Sequence, residues 1–191
     1  MGRTYERGRE RVIIVEGADG SGKTTLAKLL ADELDLEYTR PPAELLDSVT
    51  GAHYGLASWW TKQLQQGSQP ISSRRIYDRC FFISEPIYST VMNRPASVPA
   101  NFIAYQMSMA INAVDLLIFC IPDRHVVKGD QLKGMTKRRQ ELTQFAYAVA
   151  YTSWAWSPIS NRVWRYNWHN GDQTIKRVKE ALSGKNRRTS N

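Results

Sequence analysis

The segment Glu16-Gly17-Ala18-Asp19-Gly20-Ser21-Gly22-Lys23-Thr24-Thr25 constrains the fold more than any other part of the chain. It follows the apolar run Val12-Ile13-Ile14-Val15 and leads into Leu26-Ala27-Lys28-Leu29-Leu30-Ala31-Asp32-Glu33-Leu34. The order is therefore buried strand, glycine-rich turn, amphipathic helix. Gly17 and Gly22-Lys23-Thr24 fit the pattern G-x-x-x-x-G-K-[ST], the phosphate-binding P-loop. Its glycines let the backbone turn tightly and aim successive N–H groups inward, where the following helix N-terminus completes an anion nest for a polyphosphate. Lys23 supplies a mobile charge for the β- and γ-phosphates of ATP, and the Thr24 hydroxyl is placed to ligate Mg²⁺. A chance match to the pattern in a chain of this size is on the order of 1 in 100. The strand before it and the helix after it are the context the motif requires.

At 191 residues the chain reads as one domain large enough for a real core. No apolar run approaches the ~20 residues of a membrane span, so no membrane partner is expected. Residues 1–10 are charged with no apolar stretch behind them, which does not fit a signal peptide, and Glu6 does not fit the myristoylation pattern. The two cysteines, Cys80 and Cys120, lie in apolar surroundings and read as buried free thiols in a reducing cytoplasm. His53, His125 and His169 form no metal-ligand spacing. The net charge of +8 suits a protein that handles phosphates and equally one that binds nucleic acid. Part of that charge sits in two expected solvated ends, a flexible basic arm over 1–10 and a basic tail over 184–191.

Between those ends, residues 11–183 alternate strands with helices. Strands are expected at 11–16, 36–39, 75–77, 116–121 and 162–166; helices at 22–34, 43–66 with a break near Gly51 and Gly55, 80–92, 100–114, 140–153 and 172–183, the last capped by Asp172. The run Leu116–Ile121 is continuously apolar, as in a strand buried on both faces. Residues 123–139 are basic and contain Gly129 and Gly134, the pattern of a mobile, lid-like loop. This order implies an α/β, three-layer fold: a mostly parallel five-stranded sheet covered by helices on both faces. Ligands bind such sheets outside the carboxyl ends of the strands. The P-loop, Thr39-Arg40, Asp78-Arg79 and the basic loop all fall at such ends.

These residues resemble the thymidylate-kinase branch of the nucleoside monophosphate kinases. The stretch Val12 to Thr25 is close to that branch's opening, four apolar residues followed by EGxDGxGKTT. Thr39-Arg40 stands where the family has Thr-Arg-Glu-Pro, and Asp78-Arg79 where it has Asp-Arg-Tyr. The short length, Gln131-Leu132-Lys133-Gly134 and the strand holding Trp164 look more like the compact, often bacteriophage-encoded members, which would place the protein in a host cytoplasm. The resemblance implies a P-loop kinase fold and phosphoryl transfer from ATP·Mg²⁺ to a nucleotide. Catalysis then consists of positioning and charge stabilisation. Gly17, Ala18, Asp19, Gly20, Ser21, Gly22, Lys23, Thr24 and Thr25 would bind ATP; Thr24 and Asp78 would serve the metal. Arg79 and Arg40 would take the acceptor phosphate, for which a guanidinium offers a bidentate fork. Lys23, Asp78, Arg79 and Arg138 form the expected catalytic group, with Arg124, Lys133, Lys137 and Arg139 as further cations of the lid. Each of these has a plainer alternative: Asp78 capping a helix, the arginines in surface ion pairs, Asp19 stabilising its own turn.

Two departures from the family pattern stand out. Pro41 replaces the expected Glu, and Cys80 replaces the aromatic residue after Asp78-Arg79. Base contacts are then sought among Trp59, Trp60, Phe81, Phe82, Tyr105 and Gln106, with Tyr105 and Gln106 the preferred pair. The first functional reading is a deoxynucleoside monophosphate kinase for thymidylate or a 5-substituted deoxyuridylate. A deoxynucleoside kinase is a near variant. A second reading is a kinase acting on a hydroxymethylated pyrimidine within DNA, with which the charge and six Trp are compatible. A third is a non-catalytic nucleotide-binding protein. Related kinases are often dimers, so a homodimer is an expectation of the resemblance.

Overall fold

Strands β1 (Arg11–Gly17), β2 (Glu37–Thr39), β3 (Arg74–Asp78), β4 (Leu116–Cys120) and β5 (Val163–Tyr166) form one sheet in the order β2-β3-β1-β4-β5. Every pairing is parallel. Five α-helices have both ends among the described residues: α1 (Lys23–Leu34), α2 (Phe81–Val91), α3 (Ala100–Ala113), α4 (Lys137–Ala155) and α5 (Gly171–Leu182). The computed structural model describes residues 11–42, 58–60, 62, 74–123, 136–167 and 171–182. The basic arm, most of the helical segment expected at 43–66, residues 124–135 with Arg124 and Lys133, and the tail lie outside the described residues.

Parallel strands need crossover connections, and the helices supply them on both faces. The period-two alternation of β1 divides its side chains between two cores. Ile13 and Val15 join Leu26, Leu30, Ile76, Ile118 and Val178 on the face covered by α1 and α5. Val12 and Ile14 join Tyr77, Phe81, Phe119, Tyr147 and Trp154 on the face covered by α2 and α4. All five residues of β4 are buried, as the apolar run predicts for a central strand.

Three boundaries differ from the sequence-based expectation. Helix α4 begins at Lys137, because Thr136 acts as its N-cap and accepts the Arg139 N–H at 3.3 Å. Lys137, Arg138 and Arg139 are thus the first turn of a helix and not the end of a loop. Helix α5 begins at Gly171, so Asp172 lies within the first turn, where its charge complements the helix dipole, instead of forming the cap. A short 3₁₀ turn, Ser160–Arg162, precedes β5.

Buried ion pairing fixes the exit from α2. Arg94 donates to both oxygens of Glu85, at 2.8 and 2.9 Å, and the Ser97 N–H donates to the same carboxylate at 2.6 Å. Glu85 is fully buried, so this bidentate fork is what makes a charge tolerable there.

Candidate active site

The central strands β1 and β3 deliver the site. Val15 pairs with Asp78, so the ends of the two strands emerge side by side. Beyond β1 the chain turns through Gly20 (φ +79°) and Gly22 (φ +84°), conformations in the left-handed region that side chains rarely adopt. A Cβ on Gly17 would meet Ser21 Oγ at 2.6 Å and the Cys120 carbonyl oxygen at 2.7 Å, so the loop rests directly on the end of β4. Helix α1 follows with Gly22 at its N-cap and no side-chain cap. Its first-turn N–H groups are therefore left to an anion, the arrangement the sequence pattern requires.

Lys23 is buried, at 7% exposure, and its ammonium donates to the Ala18 carbonyl at 3.3 Å and to Asp19 Oδ1 at 3.2 Å. Burial, with the nearby Arg79, pulls its pKa below the usual lysine value, while Asp19 and Asp78 work the other way. Thr24 Oγ1 donates to Asp78 Oδ2 at 2.7 Å. The Tyr38 hydroxyl donates to the same oxygen at 2.8 Å. Burial and Asp78 raise the Tyr38 pKa well above a free phenol; Arg40, exposed one residue past β2, opposes them. Asp78 Oδ1 is buried with no hydrogen-bond partner among the described residues. Asp78 does not cap α2, whose N-cap is Cys80 without a side-chain bond.

Asp19 is the second node. Its Oδ1 accepts from Arg79 at 2.8 Å as well as from Lys23, and its Oδ2 accepts from the Tyr88 hydroxyl at 3.0 Å. Arg79 also donates to the Tyr88 hydroxyl at 3.2 Å and lies 5.0 Å from that ring's centroid. Burial alone would raise the Asp19 pKa, but Arg79, Lys23 and Tyr88 carry it well below the usual carboxylate range. Burial alone would likewise ease a proton from Arg79, yet Tyr88 and Asp19 hold it more firmly cationic. Arg79 itself has φ +86°, unusual for a side chain of this size.

The sequence-predicted residues thus divide. Asp19, Lys23, Thr24, Asp78 and Arg79 form an array of two hydrogen-bonded clusters, Lys23 and Arg79 on Asp19 and Thr24 on Asp78, which adjoin through the chain at Lys23-Thr24 and Asp78-Arg79. Ser21 is buried beneath the loop and Thr25 is exposed on α1. No side-chain hydrogen bond joins Arg40, Tyr105 or Arg138 to the array among the described residues. Arg138 is exposed in the first turn of α4; on α3, Tyr105 is 51% exposed while its neighbour Gln106 is 1% exposed, because successive helical residues point in different directions. Trp60 packs on Tyr77, ring centroids 4.8 Å apart, and is buried in the core.

Three residues in or beneath the site escaped sequence reasoning: Tyr38 and Tyr88, which bond to its carboxylates, and Glu16 below them. Glu16 is fully buried and accepts the Gly17 N–H at 3.3 Å and the Cys80 N–H. Burial raises its pKa, against the opposing pull of Arg79 and the Cys80 N–H. A lone acid in an apolar strand was the signal available for it.

Among the described residues no group of three or more His, Cys, Asp or Glu side chains is placed to hold a metal. The Thr24 hydroxyl and the unpartnered oxygen of Asp78 form instead the sparse, all-oxygen donor set that suits a cation already carrying phosphate and water ligands. No helix among the described residues is long and apolar enough to cross a membrane.

The sheet order and the loop define an α/β protein with the P-loop kinase fold. Within that class the proteins it is similar to include thymidylate and deoxyadenosine kinases. No protein-family model matches it. A probable thymidylate kinase of Methanococcus vannielii is 59% identical over 32 residues, a match that spans 17% of this chain and 16% of that relative. Among solved structures, the YorR protein of Bacillus subtilis in complex with phosphorylated GDP aligns with a TM-score of 0.60 at 18% identity, over 90% of this chain and 95% of that one. Thymidylate kinase from Candida albicans aligns with a TM-score of 0.59 at 16% identity, over 93% and 92% of the two chains. Deoxyadenosine kinase from M. mycoides with bound dCTP gives 0.52 at 16% identity, over 90% and 98%. At these identities the likeness establishes the fold.

Proposed function

We propose that the protein is an ATP-dependent nucleotide kinase that phosphorylates a deoxynucleoside monophosphate, thymidylate or a 5-substituted deoxyuridylate being favoured, to the diphosphate. The observation that carries this reading is the array of two adjoining clusters, Lys23 and Arg79 bonded to Asp19 and Thr24 bonded to Asp78, at the ends of β1 and β3. It combines a polyphosphate cradle with a guanidinium suited to a second phosphate.

In this reading the amides from Gly17 to Thr25 and the Lys23 ammonium bind the ATP phosphates. Thr24 and Asp78 hold Mg²⁺, which when bound neutralises developing charge on the phosphate oxygens. Arg79, with Arg40 just past β2, orients the acceptor phosphate. An acceptor oxygen bonds to the γ-phosphorus, the bond from that phosphorus to the β–γ bridging oxygen breaks, and ADP leaves. Lys23 and Arg79 stabilise charge as it shifts between those oxygens. Arg138, at the start of α4, is the lid-side cation, and Tyr105 and Gln106 on α3 remain the acceptor-base candidates. Cys80 and Cys120, both buried free thiols, suit a reducing cytoplasm.

The test is transfer from γ-labelled ATP with Mg²⁺ to separate pools of deoxynucleosides, deoxynucleoside monophosphates, and DNA with ordinary or hydroxymethylated pyrimidines. Label is expected in deoxynucleoside diphosphates, with a loss of about 100-fold or more in kcat for Lys23→Ala. Label in monophosphates would make the acceptor a nucleoside, and label on DNA would move the substrate to nucleic acid. Full activity of Lys23→Ala would overturn the site.

A further inference from the structure

We infer that Glu16 is a positioning residue: from beneath the site it sets the backbone of the turn after β3 so that the Arg79 guanidinium lies on Asp19. The inference rests on the kinase reading only for what Arg79 then does.

The strained element is Arg79 itself, whose φ of +86° lies where side-chain-bearing residues rarely settle. Such a conformation persists when its surroundings over-determine it. Here both peptide groups flanking the Arg79 Cα are held from β1. The Arg79 N–H donates to the Val15 carbonyl at 2.9 Å, and the next amide, that of Cys80, donates to Glu16 Oε1. The second oxygen of Glu16 accepts the Gly17 N–H at 3.3 Å. Gly17 opens the phosphate loop and Cys80 follows Arg79, so one carboxylate spans the two loops that carry the site. The result of that tie is visible on the other side of the strand ends, where Arg79 meets Asp19 at 2.8 Å.

The chemistry of the position supports a dedicated acceptor. Glu16 is wholly excluded from solvent, where a carboxylate is tolerated when N–H donors meet it. An apolar residue at this place would leave the Cys80 amide without its acceptor. Glutamine would retain one acceptor oxygen but turn an NH₂ towards a second N–H donor. Glu16 does not itself join the Asp19 array, so any effect on ligand must pass through the loops it ties.

The structural arm of the test uses nucleotide-free wild-type protein and Glu16→Gln. Crystal structures and amide hydrogen exchange should show Arg79 leaving the positive-φ region, its guanidinium leaving Asp19, and the Cys80 amide exchanging about 100-fold faster while the Ile118 amide in β4 is unchanged. If Glu16→Gln does not fold, Glu16→Asp, which keeps the charge and withdraws it by one methylene, is read in the same way. An unchanged Arg79 conformation with an unchanged Cys80 exchange rate overturns the inference. The kinetic arm is a double-mutant cycle on acceptor KM. Glu16→Gln is expected to raise it about tenfold alone and less than about twofold in an Arg79→Ala background. Effects that multiply independently would mean that Glu16 does not act through Arg79. No phosphoryl transfer by the wild type would dismiss the kinase reading while leaving the structural arm to decide the role of Glu16.

Discussion

The two faces of the sheet are built from different materials. Beneath α1 and α5 the core is aliphatic: Ile13, Leu26, Ala27, Leu30, Ile76, Ile118 and Val178 are all fully buried. Beneath α2 and α4 aromatic rings are set among aliphatic residues such as Val12, Ile14 and Leu117, with Trp60, Tyr77, Phe81, Phe119 and Tyr147 each at or below 1% exposure. Branched aliphatic residues have well-defined rotamers and bring α1 down onto the strands without polar atoms to satisfy. Aromatic residues fill larger volumes but several carry a polar tip that needs a partner. Trp60 Nε1 and the Tyr147 hydroxyl are buried without one among the described residues. The difference maps onto the site. Lys23 and Thr24 ride on the helix seated by the aliphatic face, whereas Arg79 is flanked by Tyr88 from the aromatic one. A phosphate cradle is fixed by tight packing, and the guanidinium beside it is framed by rings.

The largest effect should come from the aliphatic face. Leu30→Ala is expected to lower stability by about 2–5 kcal/mol in urea unfolding, since a fully buried side chain is lost from close packing. A loss below about 1 kcal/mol would mean that α1 is loosely seated and the contrast between faces fails. On the aromatic face, Tyr147→Phe removes a buried hydroxyl that has no partner, so it should be neutral or stabilising by up to about 1 kcal/mol in the same assay. A clear destabilisation would show that this hydroxyl is hydrogen-bonded in solution.

The smallest effect concerns the junction of the two faces. The depressed pKa of Asp19 makes its contribution fully present above the ordinary carboxyl value of 3.8 and lost as pH falls below it. Asp19→Asn should therefore flatten the fall in stability between about pH 4 and pH 2, followed by thermal unfolding. The effect is small, because the side chain of Asp19 is 32% exposed and its ion pair with Arg79 is partly screened. An acid limb as steep in the variant as in the wild type would remove Asp19 from the charged array.

Much of this was legible in the sequence. The order Val12 to Leu34 could be read directly, because a strand, a turn and a helix announce themselves by local periodicity and glycine spacing. Asp78-Arg79 could be placed at a strand end for the same reason, and the uninterrupted apolar run of β4 marked a central strand. What could not be read depended on register. Tyr38 reaches Asp78 because β2 pairs with β3 so that Tyr38 lies opposite Ile76, a relation between segments that no local pattern encodes. Tyr88 reaches Asp19 through the direction of α2, and Glu16 meets the Cys80 N–H through the turn after β3. The start of α4 was misread because the basic run Lys137-Arg138-Arg139 looked like loop, although Thr136 was available as a cap.

The parallel register carries a further consequence for how the molecule is made. β1 finds its two neighbours at Arg74–Asp78 and Leu116–Cys120, and the Val12 N–H donates to the Asp115 carboxylate, 103 residues away. A chain leaving the ribosome exposes Val12-Ile13-Ile14-Val15 before Arg74–Asp78 and long before Leu116–Cys120. Long-range pairing of this kind is slow, and an apolar strand without neighbours is prone to aggregate. The strand that delivers the phosphate loop is therefore the segment of this chain most in need of shelter during synthesis.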